Sequence, residues 1–216
     1  MKQHNNPVIG ITADISGGRC QVSCNYVNAV VRAGGVPLIL PPVEDVHSHL
    51  NLCQGFVLSG GDDPAMELFR KSTHPQAERI NPDRQKYEMK LLELLLQNPE
   101  IPVLGVCLGM QLMALCTCGD LHQYLPDVLP THADHWGDRE HEITGELGQG
   151  SVLSNHRQAV SDPGELQVAA RAHDGVIEAV KHPYHKFFLG VQWHPERTPD
   201  PRFGDNLFKE LVKRCL

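Results

Sequence analysis

Cys107 lies in Pro102-Val103-Leu104-Gly105-Val106-Cys107-Leu108-Gly109-Met110-Gln111, an apolar strand running into a helix, with Gly105 and Gly109 flanking the thiol. Such a junction is a nucleophile elbow. A sharp strand-to-helix turn forces the central residue into a strained conformation, and neighbours without a Cβ let the backbone close around it. A thiol there sits at a helix N-terminus, whose partial positive charge favours an anionic nucleophile. The same residues would also suit a structural cysteine buried at a strand end.

Two further stretches could complete a site. Phe188-Leu189-Gly190-Val191-Gln192-Trp193-His194-Pro195-Glu196 reads as a strand ending in His-Pro-Glu. Extended residues two apart point the same way, so Glu196 can accept a hydrogen bond from one ring nitrogen of His194 while the other faces a thiol. With Cys107 this makes a nucleophile, a base and an orienting acid. Phe56-Val57-Leu58-Ser59-Gly60-Gly61-Asp62-Asp63-Pro64 reads as a buried strand followed by a Gly-Gly turn. Gly60 and Gly61 free N–H groups to point at a ligand, and together with the N–H of Leu108 they could form an oxyanion hole. A plain turn would use the same residues.

Positioning these three stretches requires a sheet. Val8–Thr12, Val36–Leu40, Gly55–Leu58 and Val103–Val106 are short β-branched runs of the buried-strand type. Helices are expected between them over Asn25–Ala33, Asp45–Cys53 and Asp83–Gln97, the last with Tyr87, Leu91, Leu94 and Leu95 in one stripe. This alternation predicts an α/β fold with an open, mostly parallel central sheet and helices on both faces. After Gly119 the strands Gln167–Ala172, Val176–Val180 and Phe187–Gln192 follow with no long helix, which predicts a small antiparallel or mixed edge region before a closing helix over Phe203–Cys215. Asp62–Pro82 and Leu125–Gly150 are expected to be long polar loops. No repeat or linker divides the chain, so residues 1–216 are read as one domain.

Composition narrows the class. The 216 residues are 41% hydrophobic and 21% charged, with 19 Lys and Arg against 26 Asp and Glu and a net charge of −7. No basic block offers a phosphate-binding face, so no nucleic-acid partner is expected. The apolar run Val8–Ile11 is too short for a signal-peptide core or a membrane span, which predicts a cytoplasmic protein with no membrane partner. Seven cysteines without regular spacing predict reduced thiols, and Cys20, Cys24, Cys116 and Cys118 are expected to be core or partly buried free thiols rather than ligands.

His132, His135 and His141, with Asp134, Asp138 and Glu140 between them, fit no known zinc spacing. A solvated polar loop near the active-site mouth is expected there, with a substrate contact ahead of an ion, so neither a metal nor a cofactor is assigned. Asp83, Arg84 and Glu88 are expected to cap a helix and form an exposed charge pair.

The three motifs in this order resemble the class I glutamine amidotransferase superfamily, over essentially the whole chain. Ser59-Gly60-Gly61-Asp62-Asp63-Pro64, the Arg84 to Glu88 helix start and Gln123 are similar to its gamma-glutamyl-gamma-aminobutyrate hydrolase branch, the peptidase C26 family. The resemblance implies a flavodoxin-like sheet, Cys107 as nucleophile, His194 as base and acid, Glu196 as its orienter, and Gly61 with Leu108 as oxyanion donors. It also implies a glutamyl pocket involving Gly60, Gln111, and Ser154 and His156 of Ser154-Asn155-His156-Arg157-Gln158-Ala159-Val160.

The chain departs from that branch at several positions. Leu108 stands where arginine is usual and is more like ammonia-supplying members of the superfamily. Ala114 stands for asparagine, Cys118-Gly119-Asp120 for Gly-Gly-Thr, and Tyr124 for an acidic residue. The resemblance therefore implies a freestanding hydrolase of small gamma-glutamyl compounds, with a glutaminase subunit feeding ammonia to a separate synthetase partner as the alternative. A homodimer is left open.

Overall fold

The computed structural model describes residues 6–216. In chain order the strands are β1 (Val8–Thr12), β2 (Asp14–Ser16), β3 (Arg19–Gln21), β4 (Val36–Leu40), β5 (Gly55–Leu58), β6 (Val103–Val106), β7 (Asp120–His122), β8 (Arg139–Gly145), β9 (Gly148–Ser154), β10 (Ala159–Asp162), β11 (Gln167–Ala172), β12 (Ile177–Lys181) and β13 (Phe188–Val191). The helices are α1 (Cys24–Arg32), α2 (Val46–Leu52), α3 (Pro82–Leu96), α4 (Leu108–Cys116) and α5 (Asp205–Arg214).

Nine strands form one sheet in the order β4-β1-β5-β6-β13-β12-β11-β8-β9. The first five pair in parallel, and every pairing from β13 to β9 is antiparallel. The parallel part has the flavodoxin-like order, with the first strand inside the second. All four residues of β5, β6 and β13 are buried, as continuous apolar runs between two helical layers should be. Because side chains alternate, Phe56 and Leu58 pack against α2, α3 and α4, while Val57, Leu104 and Val106 pack against α1 and α5. Among the described residues, no helix is long and apolar enough to cross a membrane.

The antiparallel portion is larger than a small edge region. Leu125–Gly150, expected to be a loop, contains β8 and the start of β9, which pair along their whole length from Arg139 opposite Ser154 to Gly145 opposite Gly148. In β8 the inward positions are His141 and Ile143, so a histidine on the buried face conceals the alternation of the strand. Two of the three histidines expected in a solvated loop are inside: His135 ends a short 3-10 turn and is fully buried, and His141 is buried in β8, while His132 is half-buried.

The start of α3 also departs from expectation. Asn81, with Pro82 behind it, caps the helix by accepting from the N–H groups of Asp83 and Arg84. Arg84 and Glu88 do not form an exposed pair: both side chains are 0% exposed, with Arg84 Nε donating to Glu88 Oε1 at 2.7 Å. Arg84 Nη2 also donates to the carbonyls of Ser59 and Gly60 at 3.0 and 3.1 Å and to Ser59 Oγ at 3.0 Å. The guanidinium thus serves as an internal clamp on the turn after β5.

Removing one member of a buried ion pair strands the other charge without solvent, at a cost of about 3–5 kcal/mol. Arg84→Met should therefore lower the urea midpoint of unfolding by an amount of that order, and Arg84→Met/Glu88→Leu should recover a substantial part of it. Equal midpoints for wild type and the single variant would show that the clamp contributes no stability.

Candidate active site

The three stretches meet because their strands are neighbours. Leu58 pairs with Gly105, and Gly105 with Gly190, so Gly60, Cys107 and Gln192 continue the same row beyond the carboxyl ends of β5, β6 and β13. Cys107 sits between β6 and α4 with φ 50° and ψ −104°, a sparsely populated conformation costing about 1–3 kcal/mol. The turn is so tight that a Cβ on Gly109 would lie 2.3 Å from the carbonyl oxygen of Leu58, and one on Gly105 would lie 2.3 Å from Met113 Sδ. Both glycines are therefore required for α4 to reach the sheet.

His194 Cε1 and Cys107 Cβ lie 3.2 and 3.5 Å from the point a Cβ on Gly60 would occupy. The ring and the thiol side chain are thus packed together over Gly60. His194 Nδ1 meets Glu196 Oε1 at 2.8 Å. This contact does not arise from strand geometry as the spacing suggests. The chain leaves β13 at Val191, and the His194 carbonyl accepts from the N–H groups of Arg197 and Thr198 in a turn that folds Glu196 back onto the ring. Burial by itself would strip the proton from His194, but contact with Cys107 and the Glu196 carboxylate outweighs it and raises its pKa from 6.5 to about 10.

The turn after β5 divides its backbone groups between the protein and the cavity. The N–H of Gly60 donates to the Tyr26 hydroxyl at 3.0 Å and its carbonyl accepts from Arg84, so Gly60 supplies room for His194 and Cys107 and no hydrogen bond to a ligand. A trans peptide points its N–H opposite its carbonyl. With the Gly60 carbonyl held by Arg84, the N–H of Gly61 is turned away from the guanidinium. Leu108 opens α4, where an N–H has no carbonyl one turn back. Its side chain is fully buried in the core.

A cavity of about 310 Å³ brings Cys107 and His194 together with Gly61, Asp62, Asp63 and Gln111 on one side and Trp136, Asn155, Arg157 and Gln158 on the other. A wider hollow of about 620 Å³ reaches His194 and Glu196 but not the thiol. The Arg157 guanidinium lies 4.2 Å over the Trp136 ring and donates to Glu78 at 2.6 Å. Burial of Asp63 raises its carboxyl pKa to about 6. The cavity therefore carries both signs of charge around one sulfur.

The remaining sequence-derived residues separate. Gln111 and His156 line the cavity. His156 Nδ1 is held by the Gln158 carbonyl at 2.7 Å, and Nε2 points towards Glu178, 3.6 Å away, rather than into the cavity. Ser154 ends β9 fully buried, opposite Arg139, and is not part of the cavity wall. Gln192 does not stand out in its sequence context, yet its Nε2 reaches Cys107 Sγ at 3.5 Å and its Oε1 accepts from Gln111 Nε2 at 3.3 Å. Strand register is the signal that points to it. Tyr26, which holds Gly60, keeps its phenol neutral because burial, reinforced by Glu196, pushes its pKa well up.

A sulfur nucleophile beside an imidazole held by a carboxylate, with free N–H groups on the same wall, is an arrangement suited to acyl transfer. Comparisons with known proteins show which family the chain resembles. A protein of Mycobacterium tuberculosis provisionally named a glutamine amidotransferase is 35% identical, across 96% of this chain and 74% of its own length. The gamma-glutamyl-gamma-aminobutyrate hydrolase of Escherichia coli K12 is 32% identical, across 98% of this chain and 94% of its own. The crystal structure of a Thermoplasma acidophilum protein, provisionally assigned as part of a GMP synthase, shares the fold, with a TM-score of 0.68 at 19% identity over 98% of this chain and 96% of that one. Residues 7–196, which span the elbow, the glycine turn and the His-Pro-Glu segment, match the peptidase C26 family, and the chain belongs to it.

Proposed function

We propose that the chain is a cysteine hydrolase that cleaves the gamma-glutamyl amide bond of small gamma-glutamyl compounds. The observation that carries this reading is the shared wall of one small cavity, where Cys107, His194 and Gly61 meet and His194 is bonded to Glu196 at 2.8 Å. The raised pKa of His194 supports an imidazolium beside the nucleophile at neutral pH.

In the proposed reaction, Cys107 Sγ attacks the side-chain amide carbon and the N–H groups of Gly61 and Leu108 receive the developing oxyanion. The C–N bond breaks as His194 gives its proton to the departing amine. Neutral His194 then takes a proton from water, which attacks the glutamyl thioester; the C–S bond breaks, glutamate leaves, and the free sulfur and the His194 imidazolium are restored. Glu196 keeps the ring oriented through both steps. Arg157, which is bonded to Glu78, and Asp62 and Asp63 line the same cavity and offer partners for the carboxylate and ammonium of a glutamyl group.

The ammonia-supplying alternative draws on Leu108, whose side chain is buried in the core and packs beneath Gly61 rather than lining the cavity itself.

The isolated chain should release glutamate from gamma-glutamyl derivatives of amines larger than ammonia, and Cys107→Ala should reduce the rate by about 10³-fold or more. Quenched wild-type reactions should carry one glutamyl group on the peptide containing Cys107, seen by mass spectrometry. Hydrolysis of glutamine alone, with larger amides untouched, would overturn the proposal in favour of an ammonia-supplying role.

The His194 pKa is itself measurable. NMR titration should show its imidazolium persisting towards pH 10, and Cys107→Ala or Glu196→Gln should bring the midpoint back towards 6.5. Since the folded value exceeds the unfolded one, the stability this group contributes is fully present below about pH 6.5 and is lost as the pH rises towards 10. A wild-type midpoint near 6.5 would remove the ion-pair basis of the mechanism.

A further inference from the structure

Four buried side chains that take no part in the proposed reaction converge on one point. His135 Nδ1 and His141 Nε2 each lie 3.2 Å from Glu178 Oε1, and His156 Nε2 lies 3.6 Å from it. The ligand-capable atoms of His135, His156 and Glu178 are all within 4.8 Å of one another. The side chains are 0%, 3%, 1% and 0% exposed for His135, His141, His156 and Glu178, so water does not solvate them.

The far side of each ring fixes its tautomer. His156 Nδ1 is 2.7 Å from the Gln158 carbonyl and His141 Nδ1 is 3.3 Å from the Asp134 carbonyl. His135 Nε2 is 2.9 Å from Asp174 Oδ2, a carboxylate that also accepts from the Thr131 hydroxyl. Carbonyl and carboxylate oxygens only accept, so these three nitrogens carry the protons. A ring left neutral in this tautomer turns a lone pair towards Glu178, which is itself an acceptor. The three inward nitrogens and both Glu178 oxygens have no hydrogen-bond partner among the described residues. Converging acceptors in a dry interior are matched by a positive charge, carried either by a proton on a ring or by a metal ion between them.

A proton on one ring would satisfy one nitrogen–oxygen contact and leave the other two nitrogens unpaired. A divalent ion can accept the three donors of His135, His156 and Glu178, which lie within 4.8 Å of one another, with His141 reaching the group through Glu178 at 3.2 Å as the candidate fourth. Zinc with arms of about 2.0–2.2 Å in a tetrahedron sets its ligand atoms roughly 3.3–3.5 Å apart, close to the spacings around Glu178 Oε1. Hydrogen bonds from the far ring nitrogen to a carboxylate or carbonyl are those that orient metal-binding imidazoles. We propose that His135, His141, His156 and Glu178 form a closed, buried structural zinc site.

The four donors come from the turn before β8, from β8, from the segment after β9 and from β12. Trp136 and Arg157, each one residue beyond a proposed ligand, line the cavity at the thiol. Zinc would thus fasten that wall to the antiparallel half of the sheet. This inference is independent of the proposed reaction.

The test uses the full chain with Cys107→Ala, which removes the thiol partner of the other imidazole that could bind zinc. Protein expressed with zinc and purified by size exclusion should contain close to one zinc per chain by mass spectrometry of the metal. Chelation should lower the melting temperature by several degrees, and stoichiometric zinc should restore it. His141→Gln and Glu178→Gln in the same background should lose at least about 10-fold in zinc affinity, whereas His132→Gln should not. If those variants fail to fold, the zinc content of the parent decides. A parent with less than ~0.1 zinc per chain and no thermal response to added zinc would overturn the proposal and leave a proton on His135 as the cation. Undiminished zinc binding by both folded variants would overturn it by placing the metal elsewhere.

Discussion

The site depends on how closely α4 approaches the sheet. With φ at 50°, Cys107 turns the chain from β6 into α4 within one residue, and Gly109 comes so near the Leu58 carbonyl that no side chain fits between them. That approach presents the sulfur at the carboxyl edge of the sheet and leaves the N–H of Leu108 beside it. Adjacent parallel strands lie about 4.8 Å apart, so the turns after β5 and β13 necessarily flank the elbow. The convergence of distant sequence segments is thus a consequence of the order β5-β6-β13 and of its register.

Buried charge sets the finer geometry. Arg84 lies under the turn after β5 and holds two successive carbonyls, which directs the following N–H outward. Desolvating an arginine is expensive, and Glu88 offsets this from the next turn of the same helix at 2.7 Å. The clamp therefore arises within α3 before any ligand is present, which is the preorganisation that oxyanion stabilisation needs. Tyr26 performs a complementary task by taking the Gly60 N–H out of use.

The parallel half of the fold was legible because its signals are local. β5 and β6 are uninterrupted apolar runs, and the stripe on α3 continues until residues before Pro99 end it. Cys107, His194 and Glu196 were legible as residue types, although the turn that joins the last two is not the extended strand their spacing suggests. What the sequence conceals is polar residues facing inward. Arg84, Glu88, His135, His141 and Glu178 have the composition of a solvated surface, and only the tertiary fold reveals the partners that make their burial tolerable. The hairpin of β8 and β9 was hidden for the same reason, since His141 occupies a position where the alternation calls for an apolar residue.

This contrast divides the molecule into two working halves. The parallel strands position the sulfur, the imidazole and the glycine turn through backbone geometry, which tolerates little change. The antiparallel strands supply the opposite wall, with Trp136, Asn155, Arg157 and Gln158 all lying next to the histidines that meet at Glu178. Glu178 itself is tied back to the catalytic side, because its carbonyl accepts from the N–H of Gln192, whose side chain reaches the Cys107 sulfur. The histidine cluster and Cys107 are thus linked by a continuous chain of contacts through β12 and Gln192. The cavity wall formed by Trp136 and Arg157 and the strand end beside the thiol share one buried polar anchor.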